Sequence, residues 1–452
     1  MKRLLVANRG EIAVRIIRTA HEMGLETVLA ASEADRESFA AQLSDLVTVI
    51  GPAQAGQSYL NSSALIDAIR SSGADAVHPG YGFLSEDAEF AKGVIATGAT
   101  WVGPTPESIA LMGNKAQARQ AATDAGVPVL AGSDGALQPD GDVQAVADGI
   151  GYPLLIKASA GGGGRGIRLV TSADELAGEL QLAVAEAGAA FGDSAVYLER
   201  FINKARHVEV QILGDGTDVV HLFDRDCSLQ RRNQKVLEET PAPNLPDELR
   251  EQMLTAAVHL ARECNYQGAG TVEFLYDAVR GEVCFIEMNT RLQVEHPVTE
   301  MITGIDLVRE QLRIASGERL GYQQSDITRN GHAIEIRINA ENPSQGFMPS
   351  PGNITDIRWP GGPGVRIDSG VVSGSTVSPY YDSLVAKVVV WHSDRNSALA
   401  RARRALSELR LEGVETTTAY LETVLAHPAV REATHHTKFL EGAADLLLQG
   451  IS

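Results

Sequence analysis

The chain has 452 residues, 44% of them hydrophobic, which at roughly 150 residues per domain predicts about three domains, each able to bury a core. Its 39 basic and 58 acidic residues give a formal net charge of −19. That balance argues against nucleic acid or an anionic membrane as partner, yet leaves room for a local basic pocket that takes an anion.

Residues 1–113 alternate short apolar runs with helical patterns. Leu4–Ala7 reads as a buried strand, turned by Asn8-Arg9-Gly10. Ile12, Ile16 and Ala20, with Ala13 and Ile17 beside them, then recur at helical spacing. Thr27–Ala31, Leu46–Ile50 and Ala74–His78 read as three further strands. The alternation predicts a parallel sheet with helices on both faces. "HPGYGFLSE", 78–86, follows a strand end, where such sheets bind ligands; it reads either as a site edge or as an ordinary Gly/Pro loop. The N-terminus lacks a signal-peptide core, and no stretch approaches about 18 apolar residues, so a cytoplasmic protein is expected. Cys227, Cys264 and Cys284 show no CxxC or zinc-like spacing, which fits a reducing compartment.

Residues 114–203 read as a smaller unit: a helix over 115–125, a Gly/Asp/Pro-rich connection, a hairpin, and an alanine-rich helix over 174–190. The hairpin carries four consecutive glycines, Gly161, Gly162, Gly163 and Gly164, between Lys157 and Arg165. Such a run is either a flexible linker or a loop whose backbone N–H groups close over phosphates. It is not a Walker A loop, since no Gly-Lys-Ser/Thr follows. A compact piece attached in this way can move as a lid.

Beyond residue 204 the informative stretch is "FIEMNTRLQVEHP", 285–297. With period two, Ile286, Met288, Thr290, Leu292 and Val294 fall on one side, and Glu287, Asn289, Arg291, Gln293 and Glu295 on the other. Upstream, "GTVEFLYDAVRGEVCFIE" reads as a hairpin with Asp277–Gly281 as connection, which sets Glu273 beside Glu287. Two carboxylates and an amide oxygen suit Mg²⁺ or Mn²⁺ rather than zinc. Arg291 and Glu295 suit an anion clamp and a general base; the alternative is a solvent-facing amphipathic strand. "RHVEVQILGD" puts His207, Glu209 and Gln211 on one face. "DRDCSLQRRNQK" gathers Arg231, Arg232 and Lys235, as a solvated face or as a loop presenting cations to a small anion. "HAIEIRINAENP" puts Glu335, Arg337 and Asn339 on one strand face, with Arg337 either in a site or in an ion pair. A last helix is expected over 396–411. Taken together, the pattern is the apparatus of ATP-driven carboxylate activation.

"ANRGEIAVRI", "HPGYGFLSE", "KASAGGGGRG", "RHVEVQ", "DCSLQRRNQK", "EMNTRLQVEHPVTEMITGIDLV", "HAIEIRINAE" and "PYYDSLVAK" together resemble the biotin carboxylase family of the ATP-grasp superfamily, over nearly the whole chain. The resemblance implies an α/β (α+β) chain: an N-terminal doubly wound parallel-sheet domain over 1–113, an ATP-grasp domain over 114–330 with a mobile lid at about 130–203, a C-terminal mixed domain over 331–446, and a tail. It implies that Lys115 and Lys157 contact ATP phosphates under the lid glycines, and that Glu199, Arg200, Phe201 and Ile202 form the adenine hinge. His207, Gln230 and Leu275 join the nucleotide set, as does Asn233, which stands where many members carry a histidine. Ala160 and Thr240 are further departures, at a position where some members have a fifth glycine and one where alanine is common.

The resemblance further implies Glu273, Glu287 and Asn289 as ligands of two Mg²⁺ or Mn²⁺ ions, and Lys235, Arg291, Gln293 and Val294 as the bicarbonate pocket. Glu295 becomes the base that deprotonates bicarbonate, and Arg337 the residue that stabilises the biotin enolate. The implied reaction runs through carboxyphosphate and carboxylates biotin. No Met-Lys-Met biotinylation motif occurs, so the biotin is expected on a separate carrier protein, with a carboxyltransferase as a further partner and a homodimer as the assembly. The expected role is the first half-reaction of an acetyl-CoA or other acyl-CoA carboxylase. The alternatives are a urea-type carboxylase, a carboxylate–amine ligase of the same superfamily, and a nucleotide-sensing protein without turnover.

Overall fold

The fully apolar runs of the first hundred residues give buried strands of a parallel sheet. The computed structural model describes residues 1–133, 135–137, 142–159 and 166–450. Strands β1 (Arg3–Val6), β2 (Glu26–Ala31), β3 (Leu46–Val49), β4 (Ala76–His78) and β5 (Thr100–Trp101) form one sheet in the order β3-β2-β1-β4-β5, and every pair is parallel. Gly10, at a φ of 66°, makes the turn from β1 into helix Gly10–Glu22. That helix buries the expected stripe of Ile12, Ala13, Ile16, Ile17 and Ala20.

The next unit is a three-stranded antiparallel sheet: β6 (Leu154–Ala158), β7 (Ile167–Val170) and β8 (Val196–Arg200), in the order β7-β6-β8. Alternation divides its side chains. Leu154, Ile156, Ala158, Val170, Val196 and Leu198 bury against helices Val143–Ile150 and Ala173–Phe191. Leu155, Lys157, Ile167, Leu169, Tyr197 and Glu199 share the opposite face, where Ile167 and Leu169 are each 44% exposed. The glycine run Gly161–Gly164, with Ala160 and Arg165, lies outside the described residues.

An eight-stranded antiparallel sheet dominates the remainder. Its strands are β9 (Arg206–Asp215), β10 (Val219–Arg231), β11 (Gln234–Thr240), β12 (Gln267–Asp277), β13 (Glu282–Asn289), β14 (His332–Asn339) and the two segments Val365–Ser369 and Leu384–His392. They run in the order β13-β12-β9-β10-β11-β14, then Leu384–His392, then Val365–Ser369, so the sheet continues unbroken past residue 330. Val208, Val210, Ile212, Val272, Phe274 and Met288 on one face pack with helix Asp247–Glu263. On the other face, His207, Glu209 and Gln211 precede Leu213, which packs with the N-terminal domain. No helix among the described residues is long and apolar enough to cross a membrane.

Three expectations need correction. The alternation across 285–295 is not one strand: β13 ends at Asn289, a loop follows, and helix His296–Thr303 begins with Pro297 in its first turn. Within β13 the pairing shifts between Glu273↔Glu287 and Phe274↔Phe285, which leaves Ile286 as an extra residue. This bulge turns Ile286 to the same side as Glu287, whereas Phe285 and Met288 both enter the core. The helix expected to 411 ends at Glu408; Leu409 leaves helical geometry, and Arg410–Glu412 pairs as a strand with Asp356–Arg358.

Candidate active site

The site lies on the polar face of the large sheet, at the ends of β9 to β14. A cavity of about 470 Å³ is lined there by His207, Gln230, Asn233, Lys235, Glu273, Ile286, Glu287, Asn289, Arg291, Gln293, Val294 and Arg337. A larger cavity of about 590 Å³ lies between the loop after β2 and the segment Gly370–Val385. Its charged pair of Arg9 with Asp35 is closed internally at 2.7 Å, and among the described residues it gathers no cluster of buried carboxylates around a cation.

Two strands and a helix start bring carboxylates to one ammonium on β11. Lys235 Nζ donates to Glu209 at 2.7 Å, to Glu273 at 3.0 Å and to Glu295 at 2.6 Å. A bulge at Val236 in β11 makes this possible, since it lets Lys235 and Glu238 share the polar face while Val236 and Leu237 pack inward. Burial opposes a charge on Lys235, but Cys227 and the three carboxylates outweigh it and push its pKa well up.

Glu295 is fully buried beneath Lys235 and Arg337, whose Nη2 donates to it at 2.9 Å. Burial would raise its pKa; Lys235, Arg337 and Arg225 outweigh burial and hold it well below the usual carboxylate range. Glu295 is therefore ionised throughout the neutral range.

Under this cluster sits Arg225, wholly buried. It donates to Glu209 at 2.6 Å, Gln211 at 2.7 Å, Thr299 at 2.9 Å and Thr271 at 3.1 Å. Nothing in the sequence marked it, because a buried arginine has no periodic signature.

The expected hairpin forms, and Glu273 stands directly opposite Glu287. Burial first, and then the charge of Glu273, push the Glu287 carboxyl up, partly offset by Lys115. Among the described residues no side chain hydrogen-bonds to Glu287. Glu273, in contrast, is held below its ordinary range: Lys235 and His207 outweigh burial. It also accepts from Asn289 at 2.8 Å and Gln293 at 3.1 Å. A facing carboxylate pair, one member without a partner, with the amide oxygen of Asn289 two residues on, is a hard-oxygen set that fits a divalent cation.

Arg291 is tied on every side: to Glu86 at 2.9 Å, Gln293 at 2.9 Å and Asn289 at 3.0 Å. Glu86 comes from the "HPGYGFLSE" loop, so that loop does reach the site edge. The Val294 carbonyl accepts from buried Lys387 at 2.8 Å.

The three cations of "DRDCSLQRRNQK" do not gather. Arg231 pairs with Glu341 at 2.7 Å and stacks on Phe347, while Arg232 and Asn233 form the exposed left-handed turn between β10 and β11. Of the three, Lys235 alone enters the carboxylate cluster. Gln230 donates to the Cys227 carbonyl at 2.8 Å and meets His207 at 3.0 Å, and His207 approaches Glu273 at 3.0 Å.

The remaining predicted residues are not among those lining the cavity. Leu275 pairs with His207 across β12 and β9. Lys157 is ion-paired with Glu199 on the open face of the small sheet. The amides of Arg200 and Phe201 donate to Ala131 and Pro153 at 2.8 Å and 3.0 Å, and Ile202 follows them at the hinge. Lys115 starts helix Lys115–Asp124 and acts on Glu287 through its charge.

An antiparallel sheet with paired carboxylates at one end and cations on buried carboxylates at the other suits an ATP-dependent ligase, and similarity to solved structures places the fold in the ATP-grasp class. Family models match in three stretches: the biotin carboxylase N-terminal domain over 1–109, the carbamoyl-phosphate synthase L chain ATP-binding domain over 114–323, and the biotin carboxylase C-terminal domain over 335–442. The chain is 49% identical to biotin carboxylase 1 of Bacillus subtilis, covering 98% of both chains. The biotin carboxylase domain dimer of Hydrogenobacter thermophilus 2-oxoglutarate carboxylase, solved with MgADP, ADP and bicarbonate, superposes with a TM-score of 0.90 at 45% identity, covering 99% of this chain and 98% of that one. The biotin carboxylase component of a pyruvate carboxylase superposes with a TM-score of 0.88, also at 45% identity, covering 99% of both chains. The chain belongs to the biotin carboxylase family and is an ATP-dependent ligase.

Proposed function

We propose that this cavity phosphorylates bicarbonate with ATP and passes the activated one-carbon unit to biotin borne on a separate carrier protein. The observation that carries this is the buried Glu295, ionised and clasped by Lys235 and Arg337. An incoming bicarbonate replaces Glu295 as partner of those cations, and the freed carboxylate takes its proton. The resulting anion attacks the γ-phosphorus: an O–P bond forms and the bond to ADP breaks. Carboxyphosphate then gives CO₂ and phosphate, phosphate takes the ureido proton, and the nitrogen bonds CO₂, with Arg337 facing the developing enolate charge.

Glu273, Glu287 and Asn289 would hold Mg²⁺, which neutralises charge on the phosphates when bound. Lys115 and Lys157 supply further positive charge, and Gly161–Gly164 close over the phosphates in this reading. The adenine lies between Leu275 and the open lid face, against the Glu199–Ile202 hinge, with His207, Gln230 and Asn233 beside the sugar. Arg291, tied in place by Glu86, and Gln293 position bicarbonate at the Val294 backbone.

Replacing Glu295 with Gln is expected to lower bicarbonate-dependent ADP release by about 10²- to 10⁴-fold while ATP still binds, as read by calorimetry. Undiminished turnover in that variant refutes the reading. The final acceptor is an acyl-CoA in this reading, reached through a carboxyltransferase partner, and the enzyme works as a homodimer. Affinity capture that brings down a pyruvate-type transferase in place of an acyl-CoA type overturns that part.

A further inference from the structure

Arg337 is held from two sides. Toward the cavity it donates to Glu295, and behind it lies a second ion pair with Glu238. Glu238 in turn stands directly opposite Glu335 across the β11–β14 pairing, and both are fully buried. Residues so opposed have Cβ atoms about 4.5–5.5 Å apart, where like charges repel.

Neither carboxylate oxygen of Glu335 has a hydrogen-bond partner among the described residues, and those of Glu238 have only the Arg337 contact. Buried carboxylates nearly always have partners, so two full charges here are untenable. A proton held between them supplies the missing donor.

We propose that Glu238 and Glu335 share one proton and that the pair, through Arg337, is a positioning device that keeps the guanidinium against Glu295 and the cavity. The proposal rests on the biotin carboxylase reading of Arg337 and Glu295 given above.

The surroundings leave too little positive charge to neutralise both carboxylates. Glu238 is faced by Lys235 on its own strand, Cys227 on β10, Arg337 and Glu335 on β14, and Glu295 from the loop. Glu335 is faced by Lys387 on the strand Leu384–His392, by Arg337, Glu238 and Glu295, and by Tyr81 from the loop after β4. Lys235 already serves Glu209, Glu273 and Glu295, and Lys387 serves Glu11 at 3.1 Å and Asp368 at 3.9 Å. Burial, only partly offset by Arg337 at Glu238 and by Lys387 at Glu335, pushes Glu238 up to about 7 and Glu335 well above the usual range.

With one proton the pair carries a single negative charge, matched across Arg337 by Glu295. Loss of that proton at alkaline pH adds a second negative charge behind Arg337 and draws the guanidinium off Glu295.

The test is the pH dependence of kcat and of KM for free biotin, with ATP and bicarbonate saturating. Activity is expected to fall on the alkaline side, and Glu335→Gln, which fixes the neutral form, is expected to move that fall up by at least about half a pH unit. Glu238→Gln removes the charge behind Arg337 and is expected to raise KM for biotin several-fold more than KM for ATP. Alkaline limbs that coincide in wild type and Glu335→Gln overturn the proposal.

Infrared spectra of the wild type decide the matter independently of folding of the variants and of turnover. The carbonyl stretch of a buried protonated carboxyl is expected at neutral pH and is expected to disappear on alkaline titration; its absence overturns the pair. A wild type without biotin-dependent ADP release but with that band overturns the functional reading and leaves the pair standing.

Discussion

The small sheet of β6–β8 and the polar face of the large sheet treat their surfaces in opposite ways. On the large sheet Arg225 and Glu209 are wholly excluded from water, as is Glu295 packed over them from a helix start, and Arg225 meets four partners. On the small sheet Ile167 and Leu169 stand open, and the close charge contact of that face is Lys157 with Glu199. The charged face is fixed before substrate arrives, as electrostatic catalysis requires. The small sheet keeps apolar surface uncovered, and covering that surface with a ligand would be favourable.

The contrast is broken most severely at Arg225. Arg225→Ala leaves buried Glu209 with Lys235 as its remaining close cation and takes the shared donor from Gln211, Thr271 and Thr299; the expected loss is about 3–5 kcal/mol of stability, seen as a lowered midpoint in denaturant. An unchanged midpoint would mean that the face is not held together from below.

Acid attacks the same sheet. Glu239 is buried against His332 at 2.7 Å and Arg395 at 2.7 Å; these outweigh burial and lower its carboxyl from 4.5 to about 2. A depressed carboxyl contributes stability above its unfolded pKa and loses it as pH falls through its folded one, so the window runs from about 4.5 down to about 2. The contribution is on the order of 3 kcal/mol. Glu239→Gln is expected to flatten the fall of Tm across that window, and a slope identical to wild type would remove Glu239 from the account.

The smallest effect is expected on the small sheet. Ile167→Ser removes apolar area from the open face, which is expected to raise KM for ATP by about 3- to 10-fold, with Tm nearly unchanged. A drop in Tm with KM unaltered would show that Ile167 serves the small sheet's own packing and not the nucleotide.

Much of this was legible in the chain. The parallel sheet followed from apolar runs spaced by helical stripes, and the Glu273–Glu287 juxtaposition followed from a hairpin with a short polar connection. What escaped was set by irregularities that period-two counting does not register. The bulge at Ile286 reversed the side assigned to that residue, and the one at Val236 brought Lys235 and Glu238 onto one face. Gln293 reaches the site by a loop and Glu295 from a helix start, not as part of a strand. Arg225, Glu86 and Lys387 act through residues distant in sequence, Glu86 on Arg291 across 205 positions, and local pattern carries no trace of such pairings.

The unbroken sheet across residue 330 has a last consequence. The matched segments 114–323 and 335–442 divide the chain where the hydrogen bonding does not. A fragment stopped at Asn330 forfeits three consecutive strands and bares β11 over Leu237–Thr240, an adhesive margin able to recruit foreign strands. The segments recognisable by descent are thus not separable as folding modules, and an excised nucleotide-binding fragment needs its C-terminal companion supplied in trans to stay monodisperse.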